Sequence, residues 1–272
     1  VPELPEVETI RRQLEPRLRG RRITGSGHFA SPKFDEAPQA VGRRVAALDR
    51  RGKYLIAGLT RAEGPCDREL VVHLGMTGRL RVAASSELDR AEAHLRAWWD
   101  LDDGQVLAFH DVRRFGRVAV VPAGEHSALP TLHRLGPEPF EDAFDGERLR
   151  AWVRGRRAVK TVLLAQRAVA GVGNIYADEA LWLAGIDPRA RRLGRARADR
   201  LRDAVRAVLD EGLEHGGTTL RDYRDAAGEE GSHQHALRCY GRGGLPCLRC
   251  GAVLRSTTLD GRGTTWCASC QR

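Results

Sequence analysis

The last 26 residues of the chain hold Cys247, Cys250, Cys267 and Cys270 in the spacing C-x₂-C-x₁₆-C-x₂-C. Two thiol pairs on tight turns at this spacing can close tetrahedrally around one Zn²⁺. Four protein ligands leave no position for water, so the spacing predicts a single structural zinc. Four unrelated buried thiols are the alternative, and the spacing argues against it. Between the pairs the chain must form an exposed hairpin that cannot hold itself together without metal. Arg262 lies on its return, in "DGRGTTWC".

Other stretches carry weaker chemical signals. Only Lys33, Lys53 and Lys160 are lysines among 45 basic residues. A lysine can give up its proton at modest cost and an arginine cannot. That gives Lys53, in "RRGKYLI", a chemical reason beside the ordinary one of a solvated side chain. In "HDVRRFGR", Arg113 and Arg114 abut Phe115: cations for phosphate and an aromatic wedge for a base step, or a strand end with a structural Phe. Met76, the only methionine, rides a glycine turn in "HLGMTGRL", as core or as a probe into a stack. In "AVAGVGNIYADEAL", small residues join two helical segments with Asn174 at a natural cap position. Backbone N–H groups there can hold a phosphate or simply make a turn. Nothing local decides the role of His94, Cys66 or Cys239.

These residues need elements to hold them. Val7, Ile10, Leu14 and Leu18 recur at helical spacing, with Pro5 at a first-turn position and Gly20 as a stop, predicting a helix over 5–20. That helix leaves Pro2 and Glu3 unexplained. Residues 41–122 alternate as short strands, with Asp103-Gly104 as a hairpin turn, and predict a sandwich or barrel. Gly136, Pro137 and Pro139 mark a boundary near 130–140. Helical patterns fill 145–213, and residues 216–236 have no periodicity and predict a mobile loop. The chain is therefore read as α+β in three domains, 1–130, 131–232 and 233–272.

At 272 residues and 42% hydrophobic, the chain can build real cores. No apolar run approaches the ~20 residues of a membrane span, and the acidic N-terminus has no signal core. The cytoplasm is the expected location, with no membrane association. A net charge of +9 suits a polyanion partner, nucleic acid first.

Taken in order, "PELPEVE", "RRGKYL", "HLGMTG", "DVRRFG", "LGPEP", "GVGNIYADE" and the cysteine spacing resemble bacterial formamidopyrimidine-DNA glycosylases, over essentially the whole chain. The resemblance implies an N-terminal helix with a β-sandwich, a helix–two-turns–helix domain and a zinc finger, with damaged double-stranded DNA in the cleft between domains. It also implies a monomeric base-excision-repair enzyme, without an obligate protein partner, that acts in the bacterial nucleoid. Such an enzyme excises 8-oxoguanine and ring-opened purines and then cuts the strand. Pro2, as a terminal secondary amine, matches the nucleophile that forms an iminium with the sugar. Glu3 matches the proton donor at the sugar, Lys53 the acid of β-elimination, and Arg262 the residue of δ-elimination. Met76, Arg113 and Phe115 match the side chains that fill the gap left by an everted base. His94, Arg114, Lys160 and Asn174 match phosphate contacts, with Arg156 standing in where the family's basic cluster has Gly155 here. The loop around 218–232 matches one that closes over the lesion. Val112 and Thr161 stand where proline is common. Val1 precedes the proline and is read as a start codon written literally, removed before the enzyme works. An oxidised-pyrimidine glycosylase of the endonuclease VIII type, a non-catalytic zinc-ribbon nucleic-acid binder and a zinc-ribbon protein that binds a protein partner are the competing readings.

Overall fold

The computed structural model describes residues 2–61 and 64–272. Val1, and with it the expectation that it is removed, lies outside the described residues. The chain divides into two compact units, one running to His133 and including His215–Ser232, the other made of Arg134–Glu214 and His233–Arg272.

In the first unit α1 (Leu4–Leu18) is capped by Glu3, with Pro5 in its first turn where no N–H is needed. Its stripe of Val7, Ile10, Leu14 and Leu18 is fully buried. Arg19 caps the helix and Gly20 follows at φ +78°. Among the described residues eight strands follow: β1 (Ile23–His28), β2 (Arg44–Arg51), β3 (Tyr54–Thr60), β4 (Arg68–His73), β5 (Gly78–Ala84), β6 (Leu95–Leu101), β7 (Gln105–Asp111) and β8 (Arg117–Pro122). They form two antiparallel sheets, ordered β2-β3-β4-β8 and β1-β6-β7-β5. Leu55, Leu59 and Val72 from one sheet meet Leu80, Trp99 and Phe109 from the other in a core shared with α1. This is the sandwich the alternation predicts, and Asp103-Gly104 does lie in the β6–β7 turn. Strand β1 lies outside the predicted strand region. Its "ITGSGH" has little apolar pattern because Trp98 lies over it: a Cβ on Gly27 would come 2.0 Å from the Trp98 ring. A short α2 (Pro130–His133) closes this part of the chain.

Residues 215–232 form no helix or strand, as their composition implies. They are packed, with Tyr223 and Ala226 inside the sandwich core.

The second unit holds α3 (Gly146–Trp152), α4 (Val159–Leu164), α5 (Asn174–Ala184) and α6 (Arg195–Glu214), then the hairpin of β9 (Arg255–Leu259) and β10 (Arg262–Trp266). Two turns join α4 to α5, through Gln166 at φ +56° and Gly171 at φ +82°. Gln166 Oε1 accepts the Gly171 N–H at 3.0 Å and holds them together. Gly173, not Asn174, caps α5, and Asn174 is the first residue of the helix. Among the described residues no helix is long and apolar enough to cross a membrane.

Candidate active site

Pro2 and Glu3 are both buried at the start of α1. The peptide that joins them is pinned: the Glu3 N–H donates to Glu6 Oε2 at 2.7 Å. The other Glu6 oxygen accepts the Thr218 N–H at 2.6 Å, so one buried carboxylate ties the first residues to the 215–232 segment. The Tyr223 hydroxyl donates to the Gly216 carbonyl at 3.1 Å. Further along α1, Gln13 donates to Asp225 Oδ2 at 2.7 Å and accepts the Ala226 N–H at 2.9 Å. Arg79 of β5 holds the Asp222 carbonyl at 3.2 Å. The local sequence signal for Glu6 is its place three residues after the cap, where a carboxylate reaches back to the cap N–H.

Lys53 stands half-buried in the two-residue turn between β2 and β3, beside Gly52 at φ +56°. The register sets Tyr54 opposite His73, with ring centroids 4.6 Å apart. Burial first and the Lys53 charge second push the His73 imidazole down to about 4, against the pull of Asp111. His73 is therefore neutral near pH 7, and its Nδ1 accepts the Gly75 N–H at 3.1 Å. Because this value lies below that of a free imidazole, the unfolded chain takes up a proton that the folded chain refuses. The stabilisation is complete above about pH 6.5 and is lost as pH falls toward 4. Thermal melts of His73→Gln should therefore lose less stability across that window than the parent. Parallel profiles would remove His73 from it.

The Met76 turn and the Arg113–Phe115 loop are locked together by Asp111, which is fully buried. Asp111 accepts the Thr77 hydroxyl at 2.5 Å and the Gly116 N–H at 2.7 Å. Thr77 Oγ1 in turn accepts the Arg113 N–H at 3.0 Å. Only glycine fits at position 75, since a Cβ there would lie 2.4 Å from Gly116 N. Met76 emerges half-buried from this knot, while Arg113, Arg114 and Phe115 are exposed. The Arg113 guanidinium lies 4.8 Å over the Phe115 ring. Arg114 and Arg96 both lie over Phe29, at 5.7 and 5.1 Å, and the exposed His94 places Nδ1 3.4 Å from Arg96. Met76, Arg113 and Phe115 thus share one scaffold, and His94 and Arg114 share another through Arg96 and Phe29. The Asp of "HDVRRFG", the residue that makes the knot, was missed.

In the second unit Lys160 corrects its expected role. It is completely buried. Its Nζ donates to the Gly263 carbonyl at 2.7 Å and to Thr264 Oγ1 at 2.9 Å, and forms an ion pair with Asp178 Oδ1 at 2.7 Å. Fully buried, with a carbonyl, a hydroxyl and a carboxylate oxygen all within 2.9 Å, the ammonium is engaged inside the protein rather than presented to a phosphate. Asn174 Nδ2 donates to the same Gly263 carbonyl at 3.0 Å. Thr161, the departure from proline, donates its hydroxyl to Asp260 Oδ2 at 2.5 Å. Asp178 Oδ2 accepts the Thr265 N–H at 2.9 Å. Four side chains thus converge on the hairpin that carries Arg262, which is exposed at the start of β10. The neighbouring Glu179, also buried, accepts the N–H groups of Arg238, Cys239 and Tyr240. The "ADE" of the motif is therefore an anchor for the tail. Arg156 is exposed beside Gly155, whose N–H is tied to Arg191 O at 2.6 Å.

The sulfurs of Cys247, Cys250, Cys267 and Cys270 lie within 4.8 Å of one another. Cys250 and Cys267 are 3.6 Å apart, close to the ~3.8 Å edge of a tetrahedron with Zn–S bonds of ~2.3 Å. Trp182 Nε1 donates to Cys247 Sγ at 3.3 Å. Burial opposes ionisation of Cys247, but N–H donors from Arg249, Trp182 and Cys250 hold it down to about 6, a thiolate suited to a metal. The set fits one structural zinc. Cys239 lies outside it: its thiol is buried, donates to the Thr265 carbonyl at 3.0 Å, and is pushed up by burial.

The chain is similar to known proteins along its whole length. Residues 1–118 match the formamidopyrimidine-DNA glycosylase N-terminal domain, 135–224 its H2TH domain, and 244–272 the zinc finger found in FPG and IleRS. The chain is 43% identical over 279 residues to formamidopyrimidine-DNA glycosylase of Deinococcus radiodurans, covering 100% of this chain and 97% of that one. It is 47% identical to a protein of the same name from Stenotrophomonas maltophilia, covering 100% of both chains. The crystal structure of MutM (Fpg) from Thermus thermophilus superposes with a TM-score of 0.88 at 45% identity, covering 99% of this chain and 98% of that one. The Lactococcus lactis Fpg (MutM), in complex with DNA containing Fapy-dG, superposes with a TM-score of 0.86 at 33% identity, covering 99% of this chain and 100% of that one.

Proposed function

The chain belongs to the formamidopyrimidine-DNA glycosylase family, and from that premise we propose that it is a bifunctional DNA glycosylase and AP lyase of base excision repair, acting on oxidised purines in duplex DNA. The observation that carries this reading is the buried Pro2–Glu3 pair, held at the first turn of α1 by Glu6. Once Val1 is removed, Pro2 is a terminal secondary amine and attacks C1′ of the damaged nucleotide. The bond from C1′ to the base breaks, and the base leaves with a proton. Glu3 gives a proton to the sugar ring oxygen, the ring opens, and the C1′–nitrogen bond becomes an iminium. That cation acidifies the neighbouring C–H, so the 3′ phosphate leaves by β-elimination with Lys53 as the acid. The 5′ phosphate follows by δ-elimination at Arg262.

Extruding a base costs a few kcal/mol, and the emptied stack must be filled. Met76, Arg113 and Phe115 serve this purpose, with Arg113 facing the orphaned cytosine. His94, Arg114 and Asn174 sit at phosphates, Arg156 adds charge nearby, and residues 218–232 cover the lesion. Zn²⁺ on the four cysteines supplies only rigidity to the hairpin. We place the enzyme in the bacterial cytoplasm, at the nucleoid.

Parallel single-turnover assays on duplexes with 8-oxoguanine or thymine glycol test the substrate class. Excision of 8-oxoguanine should be the faster by at least about tenfold. A preference for thymine glycol would move the chain to the oxidised-pyrimidine branch, and tight binding without any excision would make it a non-catalytic binder.

A further inference from the structure

Lys33 is the one lysine that the roles above leave unused. It lies between β1 and β2, exposed at its side chain. Its carbonyl accepts the Val118 N–H at 2.8 Å, which splices its segment to β8 just after the Arg113–Phe115 loop. Its Nζ donates to the Arg114 carbonyl at 2.6 Å and stands 5.9 Å from the centroid of the Phe115 ring.

The loop gripped in this way needs a grip. Arg114 has φ +57°, a left-handed conformation that side-chain-bearing residues adopt only when their surroundings impose it. Gly116 is held from the inside by Asp111. The Arg114 carbonyl is held from the outside by Lys33. Between these two holds, Phe115 is half exposed, with Arg113 at 4.8 Å and Lys33 at 5.9 Å as the cations over its ring. The electron-rich face of the ring favours both. A lysine suits this place because its rotatable donors sit on a flexible stem, able to meet a carbonyl and a ring face together.

We propose that Lys33 is a positioning residue for base eversion: by holding the Arg114 carbonyl it fixes the left-handed turn that presets Phe115 to enter the DNA stack. The proposal rests on the reading of Phe115 as a stack-filling residue.

Lys33→Met keeps the stem and removes the donor and the charge. With 2-aminopurine beside a tetrahydrofuran abasic analogue in duplex DNA, its fluorescence change on binding should fall toward that of Phe115→Ala. Single-turnover excision of 8-oxoguanine should slow by about tenfold, as expected for a group displaced by a fraction of an ångström. The binding constant's salt slope should stay that of the parent, and Lys33→Arg, which keeps a donor and a charge, should restore most of the signal. Parent-like fluorescence and excision in Lys33→Met, beside an altered Phe115→Ala, would overturn the proposal. So would a salt slope flattened by about one unit with fluorescence intact, the mark of a phosphate contact. A parent-like signal in Phe115→Ala would instead overturn the stack-filling reading and the proposal with it, which tells the two failures apart.

Discussion

Borohydride will fuse the working enzyme, freed of Val1, to an 8-oxoguanine duplex through Pro2, and a chain that keeps Val1 ahead of Pro2 will give no such adduct. An acylated proline nitrogen has its lone pair in the peptide π-system. It cannot attack C1′. The added residue offers a primary amine, but about 3.5 Å away along the chain, and misplacement on that scale costs orders of magnitude. The structure leaves no slack to recover the distance. Pro2 and Glu3 are buried, and the peptide between them is held by Glu6, which is itself held by Thr218. Sliding the chain by one residue would break both bonds and strand a buried carboxylate. The adduct, resolved on a denaturing gel and mapped by peptide mass, decides the point. Full trapping by the extended chain would overturn the assignment of Pro2.

What was legible in the sequence was whatever repeats over short distances. The apolar stripe of α1, the alternation of β2 to β8, the Asp103-Gly104 turn and the cysteine pairs all declare themselves within a few residues of each other. Buried carboxylates do not. Glu6 meets Thr218 across 212 positions, and Asp178 meets Thr265 across 87. Each takes backbone N–H groups from segments that no local pattern connects to it. Asp111 was hidden for a different reason: its partners are near, but the arginines beside it drew the chemical reading. β1 failed because its glycines answer to the Trp98 ring rather than to strand propensity. Lys160 shows the limit of a role carried over by resemblance. Its matching position implies phosphate, while the Gly263 carbonyl, 103 residues on, engages its ammonium.

That difference sets the second large effect. Lys160→Met should destabilise the second unit by roughly 3–5 kcal/mol, the usual result of removing one member of a buried ion pair. Burial already pushes the Asp178 carboxyl up to about 6 against the pull of Lys160. Without the ammonium it is left as an uncompensated charge or takes a proton near neutrality. The Gly263 carbonyl keeps Asn174, and the hairpin that carries Arg262 loses its central support. Strand cleavage should then stall after β-elimination, because Arg262 no longer reaches the second phosphate. The decisive variant is the double replacement Lys160→Met/Asp178→Asn. It removes both charges and keeps an amide oxygen to accept the Thr265 N–H, so chemical unfolding should recover about 1–3 kcal/mol of the loss, and δ-elimination product should return. A lysine that contacts phosphate would behave otherwise. Its single variant would unfold like the parent with a salt slope flatter by about one unit, and adding Asp178→Asn would recover nothing.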